Sequence, residues 1–358
     1  MKIHVVAAAQ LSAEHVAAWT KIVRDVPALD SPFFHPEFTQ AVADVREGVE
    51  VAVLEDGGRP AGFFPFQRIA GDTGEPVGDP LSDFHGVVAA ADVVWRPDEL
   101  LRACRLKAWR FHNLLAWQQP FQPHHALRVA SPQIDVSRGP EAYERERRAA
   151  GSTLFHQLRQ RMRALERNCG PLRFEPHTAD RDALTAVVRW KVEQYQRIGA
   201  PNYLADAWTV AMLERLLERQ EQPFRGLLSA LYVGDRLAAA HFGMTAGGVL
   251  HGWFPVYSQD FAKYSPGMLL WMKLIGAAPE LGIRRIDLGR GDERYKSSLM
   301  TGATHVAEGA VDLRPLAGAL RHGWLTVREA VRGSVLKTPV RYVLRRARRL
   351  FHSYRVQP

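Results

Sequence analysis

The sequence predicts an α/β protein with two sheet domains, each a mixed, mostly antiparallel sheet with helices on both faces. Three observations lead to this prediction. First, a chain of 358 residues is too long for one ordinary core. Second, apolar strands around glycine turns predict hairpins at residues 49–68 and 227–244, and both contain Arg-x-Ala followed by aromatic residues. Third, helical patterns lie on both sides of the second hairpin, so strands and helices share a domain.

The apolar runs and turn residues of the second half predict the element order β-β-β-α-β-α-β. Glycine turns at residues 234–235 and 247–248 separate the three strands of a meander. A helix begins at Pro266 and Gly282 follows its end, which are the positions that proline and glycine favour. The predicted strands are 225–233, 237–245, 249–257, 284–288 and 305–313, and the predicted helices are 182–198, 205–220, 266–281 and 292–300.

A basic segment joins the two halves. Its arginines are interleaved with apolar residues that fit one face of a helix. The segment is either a solvated helix packed on the second domain or a face that contacts phosphate or substrate. We therefore divide the chain into an N-terminal domain (1–140), a connecting basic helix (141–168), a C-terminal domain (169–314) and C-terminal helices with a basic amphipathic tail (315–358).

Most of the net charge of +9 lies at the end of the chain. Residues 331–358 carry eight basic residues and no acidic one, which leaves only +1 for the rest. A nearly neutral body does not favour a nucleic-acid partner. The apolar spacing over 338–355 predicts a basic amphipathic helix, which either contacts an anionic membrane peripherally or docks on the protein.

Bulk features predict a cytoplasmic protein, which the basic tail would bring to the inner face of the membrane if it binds lipid rather than docking on the protein. No run is long enough to span a bilayer, and we expect no signal peptide. Cys104 and Cys169 are isolated thiols without metal-type spacing, and His124-His125 has no nearby carboxylate or cysteine ligand, so we predict no metal site. No phosphate-binding P-loop or dinucleotide fingerprint is present.

The most informative stretch of the sequence is 284–299. A short apolar strand enters a turn containing Gly289 and Gly291, and a segment rich in ionisable groups follows. Turns of this kind expose side chains at the carboxyl edge of a sheet, where α/β proteins bind ligands. The stretch resembles the end of the acyltransferase domain in CelD-like proteins, a branch of the GNAT superfamily related to Fem-type transferases. The resemblance is specific mainly over 227–313, and it implies tandem GNAT-like domains.

The resemblance implies a donor site at residues 263–268, which open a predicted helix. GNAT proteins bind coenzyme A there with the pattern Gln/Arg-x-x-Gly-x-Gly/Ala, because unpaired N–H groups at a helix start hold a pyrophosphate. Lys263 stands at the first position of that pattern, Pro266 at the fourth and Met268 at the sixth. An ordinary helix start is the alternative. The implied donor-binding residues are Lys263, Tyr264, Ser265, Gly267 and Met268, and the implied co-substrate is acetyl-CoA or another acyl-CoA.

Three residues are candidates for the chemistry of acyl transfer. The resemblance implies that Tyr295 protonates the departing thiolate, because a phenol keeps its proton at neutral pH. His241, on a strand predicted beside that of His251, and Glu293 are candidate bases. Each has a structural alternative: a packing aromatic for Tyr295, a buried structural histidine for His241, and a helix cap for Glu293, which stands beside the further capping candidate Asp292.

Five residues are candidates for contacts with the acceptor. Asp83 and His85 lie in a polar loop, 79–86, which resembles the first-domain loop that faces the interdomain cleft in CelD-like proteins. Trp253 could line the cleft or belong to the core. Lys296 could hold a carboxylate or phosphate, and Asp287 could orient Lys296 or the tyrosine beside it. A Ser-His-Asp triad within the loop is not expected, because such residues are rarely so close in sequence.

The resemblance implies an acyl-CoA-dependent N- or O-acyltransferase, with acetyl as the expected acyl group. The family association with cellulose or exopolysaccharide synthesis suggests a sugar or cell-envelope precursor as acceptor, by analogy alone. Two alternatives stay open. One is a Fem-type aminoacyl transferase that uses aminoacyl-tRNA, and the other is a non-catalytic, membrane-associated scaffold that keeps the fold.

Overall fold

The protein forms a mixed α/β fold built on one large, mostly antiparallel sheet. This computed structural model describes residues 1–220, 223–291 and 293–314. The strands are β1 (Lys2–Ala7), β2 (Val49–Asp56), β3 (Arg59–Ala70), β4 (Thr73–Glu75), β5 (Val88–Ala89), β6 (Ala108–Leu115), β7 (His125–Asp135), β8 (Leu172–Glu175), β9 (Phe224–Val233), β10 (Arg236–Ala246), β11 (Val249–Tyr257), β12 (Arg285–Asp287) and β13 (Gly302–Asp312). They follow the order β1-β2-β3-β4-β6-β13-β7-β12-β11-β10-β9-β8, with β5 beside β3.

Helices cover both faces of the sheet, as the sequence predicts. They are α1 (Ala13–Asp25), α2 (Pro36–Ala43), α3 (Pro97–Ala103), α4 (Pro140–Ala149), α5 (Leu154–Cys169), α6 (Arg181–Ile198), α7 (Ala207–Glu218), α8 (Pro266–Gly276) and α9 (Arg294–Leu299). Strand residues alternate between the two faces. Val53 and Phe63 join the core under α1, α2, α6 and α7, whereas Leu54 and Phe64 join the core under α3. Helices α5 and α8 cover that opposite face in the second half.

The two halves exchange strands, so the two expected sheets are one. The late strand β13 lies between β6 and β7 and pairs antiparallel with both. In turn β7, from the first half, pairs with β12 of the second half. The predicted domain boundaries therefore stay predictions, and they now refer to halves of a continuous sheet.

Among the described strands, one parallel pair lies in each half. In the second half β11 and β12 pair only between residues 249–251 and 285–287. The chain then turns away, and the Leu288 N–H donates to the carbonyl of Pro132 on β7, while β11 continues along β10 to Tyr257. Strands β11 and β12 therefore part beside His251 and Asp287. In the first half β4 and β6 are the corresponding parallel pair.

Local sequence signals account for most element boundaries. The meander and both helices before it form where predicted, within a few residues. The helix from Pro266 ends at Gly276 rather than at residue 281, because Pro279 cannot continue it and disfavours helical geometry at Ala278. The connecting segment contains two helices, α4 and α5, which meet at Gly151 with a φ of 83°. No helix in the described part of the chain is long and apolar enough to cross a membrane.

Candidate active site

A histidine–carboxylate pair lies where β11 and β12 part. His251 Nε2 donates to Asp83 Oδ2 at 2.8 Å, across 168 residues of sequence. The imidazole is fully buried, whereas 27% of the Asp83 side chain is exposed. The rings of Phe33 and Phe84 enclose the imidazole, with centroids 4.8 and 5.8 Å away. The carboxylate is therefore the reachable member of the pair, and the histidine fixes its orientation.

Asp83 is ionised at neutral pH. Burial by itself would raise the pKa of this carboxyl, but the hydrogen bond from His251 and the positive charges of Lys296 and His112 outweigh it, so the pKa lies below its ordinary value. The prediction that the first-half loop faces the second half agrees with this placement of Asp83. A partly exposed carboxylate of this kind can accept hydrogen bonds from a hydroxyl or ammonium group.

The glycine turn after β12 forms a second wall of the site. Gly289 has a φ of 70°, and a Cβ there would lie 2.7 Å from Asp83 Oδ2. The buried Lys296 donates from Nζ to the carbonyls of Gly289 at 3.2 Å and Arg290 at 2.9 Å. It also pairs with Glu293, whose side chain is 56% exposed, at 3.1 Å. Lys296 thus holds the turn in place, a structural role that the sequence did not predict.

Tyr295 lies on α9, partly buried against the apolar cluster under α8. Burial, together with the negative charges of Glu293 and Asp83, raises the pKa of its phenol. The hydroxyl therefore stays protonated throughout the physiological range. This state fits the predicted role of a proton donor.

Lys191 and Tyr195 on α6 face the same region, and sequence reasoning missed both. The Lys191 ammonium lies 5.5 Å from the centroid of the Tyr195 ring and 6.0 Å from that of Phe254. Burial lowers the pKa of Lys191 to about 8; the negative charges of Glu293 and Asp83 oppose this shift, and the positive charge of Lys296 adds to it. The sequence did carry a signal, since a lysine and an aromatic four residues apart share one helix face.

The predicted donor loop has a strained start. Ser265 precedes α8 with a φ of 56° and a ψ of 54°, a left-handed conformation that is unfavourable for a residue with a side chain. Arg161 of α5 donates to Ser265 Oγ, so one arginine of the basic segment lies at this helix start. Gly267 lies beneath the exposed Tyr257, and a Cβ there would be 3.3 Å from the Tyr257 ring.

Other predicted donor residues face inward or stack locally. Tyr264 is buried, and its hydroxyl accepts from Asn168 Nδ2 at 3.0 Å. Met268 packs against the core under α5 and α8. The Lys263 ammonium lies 4.9 Å from the centroid of the Tyr264 ring. Arg161, Lys263 and Ser265 are therefore the groups most available to an anion at this helix start.

Two predicted histidines are placed where titration near neutral pH is disfavoured. His241 is fully buried beside Trp271, with ring centroids 5.1 Å apart, and burial lowers its pKa to about 3. His85 accepts two backbone N–H groups of β6 at Nε2, and burial lowers its pKa well below the ordinary value. His85 therefore holds the first-half loop, and the structure does not favour His241 as a base.

Trp253 and Asp287 also have structural partners. The Trp253 indole N–H donates to the carbonyl of Leu81 at 3.0 Å, and the ring belongs to the core. Asp287 does not orient Lys296, because its carboxylate accepts from Arg285 at 2.9 and 3.2 Å. Arg285 also forms two hydrogen bonds to Asp30, at 2.8 and 2.7 Å.

Three sequence predictions lie outside the described residues: the capping candidate Asp292, the C-terminal helices within 315–358, and the tail over 338–355. Within the described ranges, no group of three or more His, Cys, Asp or Glu residues is arranged to hold a metal ion.

Comparison with known proteins identifies the second half. Residues 152–297 match the family model described as an acetyltransferase (GNAT) domain. This match contains His251, Lys191, the predicted donor loop and the glycine turn, and it confirms the expected acyltransferase domain. The narrower resemblance to CelD-like proteins stays a prediction. A search of curated proteins found no match.

Solved structures share the fold at low sequence identity. A structure titled FemX has a TM-score of 0.57 and 10% identity, and the alignment covers 90% of this chain and 100% of that one. The C-terminal domain (DUF2156) of a protein named as a lysylphosphatidylglycerol synthetase, from Agrobacterium fabrum, has a TM-score of 0.54 and 14% identity, with coverage of 89% and 97%. Both alignments span both halves, so these two structures share the fold of the whole described sheet.

Proposed function

We propose that the protein is an acyl-CoA-dependent N- or O-acyltransferase that transfers acetyl to a sugar or to a cell-envelope or exopolysaccharide precursor. The observation that carries this proposal is the parting of β11 and β12 beside the Asp83–His251 pair, within the segment that matches an acetyltransferase domain. Strands that part leave room, and backbone groups without sheet partners, for an extended donor.

The donor's anionic end would bind at the start of α8. The positive end of the helix dipole, Arg161 and Lys263 all favour phosphate there. The strained conformation of Ser265 is consistent with a functional loop, since such strain persists mainly where the surroundings impose it.

The acceptor would lie against Asp83. Its ionised carboxylate can accept a hydrogen bond from an amine or hydroxyl and orient it towards the thioester. As the acceptor's nitrogen or oxygen bonds to the acyl carbon, its proton passes to a base. The carbon–sulfur bond breaks, and Tyr295 gives its proton to the departing thiolate and then regains one from water. A phenol with a raised pKa holds that proton until the thiolate leaves.

Binding measurements test the donor. Calorimetry and thermal shift with acetyl-CoA, longer acyl-CoAs and free coenzyme A should show micromolar binding. Gly267→Val should abolish it, because the new side chain would meet the Tyr257 ring at the helix start. The matched control is Gly276→Val on the same helix, where a Cβ meets nothing within 4 Å. Absence of binding to every thioester, together with salt-sensitive binding of aminoacyl-tRNA, would replace this proposal with the Fem-type alternative.

Kinetic measurements test the proposed role of Tyr295 as the proton donor. Tyr295→Phe should lower kcat by about a hundredfold or more while the Kd for acetyl-CoA stays within about twofold, because the phenol acts after the donor is bound. A variant with unchanged kcat would remove Tyr295 from the mechanism.

We also propose that the basic tail holds the protein at the cytoplasmic face of an anionic membrane. The support is the charge of residues 331–358, with eight basic residues and no acidic one. Deleting residues 335–358 should abolish binding to vesicles that contain phosphatidylserine. Equal binding by the intact and truncated proteins would contradict the proposal.

A further inference from the structure

Lys191 on α6 has no ion-pair partner among the described residues and lies near the charged groups of the candidate site. No carboxylate of the described residues lies within ion-pair distance of its Nζ, although surface lysines such as Lys21 have one. Instead its ammonium lies within 6.0 Å of the ring centroids of Tyr195 and Phe254. Helix α6 packs on β10 and β11, so Lys191 lies over the strands that carry His241 and His251.

Charged and titratable groups surround Lys191 from every neighbouring element. Asp83 comes from the first-half loop, and Glu293 and Lys296 come from the turn and α9. Tyr195 lies on α6 itself. The remaining groups near this region are His241 on β10, His251 on β11, Tyr203 after α6, and Tyr295 on α9.

The other candidates are poorly suited to accept a proton at neutral pH. Asp83 is too weak a base because its pKa is lowered, and the pKa of His241 is about 3. Tyr195 and Tyr295 keep their protons because burial raises their pKa values. The pKa of Lys191, about 8, suits a general base near neutral pH, and its ammonium lies beside the rings of Tyr195 and Phe254 in this region.

We propose that the neutral amine of Lys191 is the general base that removes the acceptor's proton, an inference that rests on the proposed acyl transfer. As the acceptor's nitrogen or oxygen bonds to the acyl carbon, Lys191 Nζ takes the proton from that atom. The carbon–sulfur bond breaks, and the thiolate takes its proton from Tyr295. Lys191 then loses a proton to water and Tyr295 regains one, so the net products are the acylated acceptor and free thiol.

Competitive labelling measures the basicity of Lys191 without any turnover. The intact protein is treated with trace acetic anhydride from pH 6 to 11, and the acetylation of each lysine is quantified by mass spectrometry. Lys191 should label with a midpoint near pH 8. A midpoint near that of free lysine, about 10.4, would overturn the inference whatever the enzyme's activity.

Kinetics with acetyl-CoA and glucosamine, a probe that offers both an amine and hydroxyls, test the role itself. In the wild type kcat should rise with pH to a plateau, with a midpoint near 8. Lys191→Gln and Lys191→Arg should both lower kcat by about a hundredfold or more and abolish its rise with pH, while the Kd for acetyl-CoA stays within about twofold. Arginine preserves the charge but cannot give up its proton, so it separates a base from a purely electrostatic role.

The control is Lys21→Gln, an exposed lysine on α1, which should retain the wild-type rate and profile. A Lys191→Gln or Lys191→Arg variant that kept the rise in kcat would overturn the inference. No transfer by wild-type protein that binds acetyl-CoA would count instead against the proposed acceptor class, and the labelling midpoint would still decide the basicity of Lys191.

Discussion

Replacing Lys191 by Met should make the protein more stable at pH 7. Burial lowers the pKa of Lys191 from 10.5 to about 8, so the native state binds this proton less tightly than the unfolded state does. The difference corresponds to about 3 kcal/mol at 1.36 kcal/mol per pH unit. Because the side chain is only partly buried, solvent screening reduces the expected gain to about 1–2 kcal/mol. Met fills a similar volume and makes favourable contacts with the adjacent rings.

The stability gained by replacing Lys191 should depend on pH, and linkage predicts the direction of that dependence. Stability rises with pH wherever the unfolded state binds more protons, which for Lys191 is the interval between about pH 8 and 10.5. The destabilisation caused by burying Lys191 is therefore complete below pH 8 and mostly absent at pH 10. Urea unfolding of wild type and Lys191→Met at pH 7 and pH 10 should show a gain that shrinks at the higher pH, while Lys21→Met shows no such change. A less stable variant at pH 7, or a gain independent of pH, would refute the reasoning.

Two further predictions concern residues that support the site: the glycine turn after β12 and the pair of Asp30 with Arg285. Gly289→Ala should lower the free energy of unfolding by about 1–3 kcal/mol and abolish most acyl transfer, because the φ of Gly289 is 70° and the new Cβ would meet Asp83. The control is Gly247→Ala, where φ is 53° and a Cβ meets nothing within 4 Å. It should lower the free energy of unfolding by only about 1 kcal/mol and keep activity. Equal loss of activity in both would contradict a role for the Asp83 contact. Asp30→Ala should lower the free energy of unfolding by about 1–3 kcal/mol, because it removes two charged hydrogen bonds from Arg285. Urea denaturation measures it, and a change below about 0.5 kcal/mol would mean that the pair adds little.

The elements of the second half could be predicted because their signals are local. The turns of the meander contain Gly234, Gly247 and Gly248, and each has a positive φ in the structure. Pro266 opens α8, as its fixed φ favours. The end of α8 was predicted too late although Pro279 marked it, because apolar spacing continued past the proline.

The strand exchange could not be predicted, because pairing between distant strands leaves no local pattern. Nothing in residues 302–312 distinguishes a strand that ends the second half from one inserted between β6 and β7. The two halves of one continuous sheet were therefore interpreted as two sheets.

Side-chain partners were predicted only in part for the same reason. Asp83 was recognised from its loop, but its contact with His251 joins residues 168 positions apart. Asp287 was associated with Lys296 through proximity in sequence, whereas Arg285 is its partner on the same strand. The spacing of Lys191 and Tyr195 indicates that they share a helix face, but a lysine on an amphipathic helix usually faces water, and only the packing of α6 reveals the burial of Lys191.

The exchange of β7 and β13 has a consequence for any attempt to divide the gene. A fragment ending before α4 would keep β6 and β7 but lose the strand between them, and the complementary fragment would carry β13 with neither of its neighbours. Each piece would expose open sheet edges of the kind that drive aggregation. The same edges are complementary, so two fragments cut between α4 and α5 should associate when co-expressed and rebuild one sheet. Acyl transfer by such a pair would report assembly of the two fragments themselves, because the candidate site would form only after reassembly.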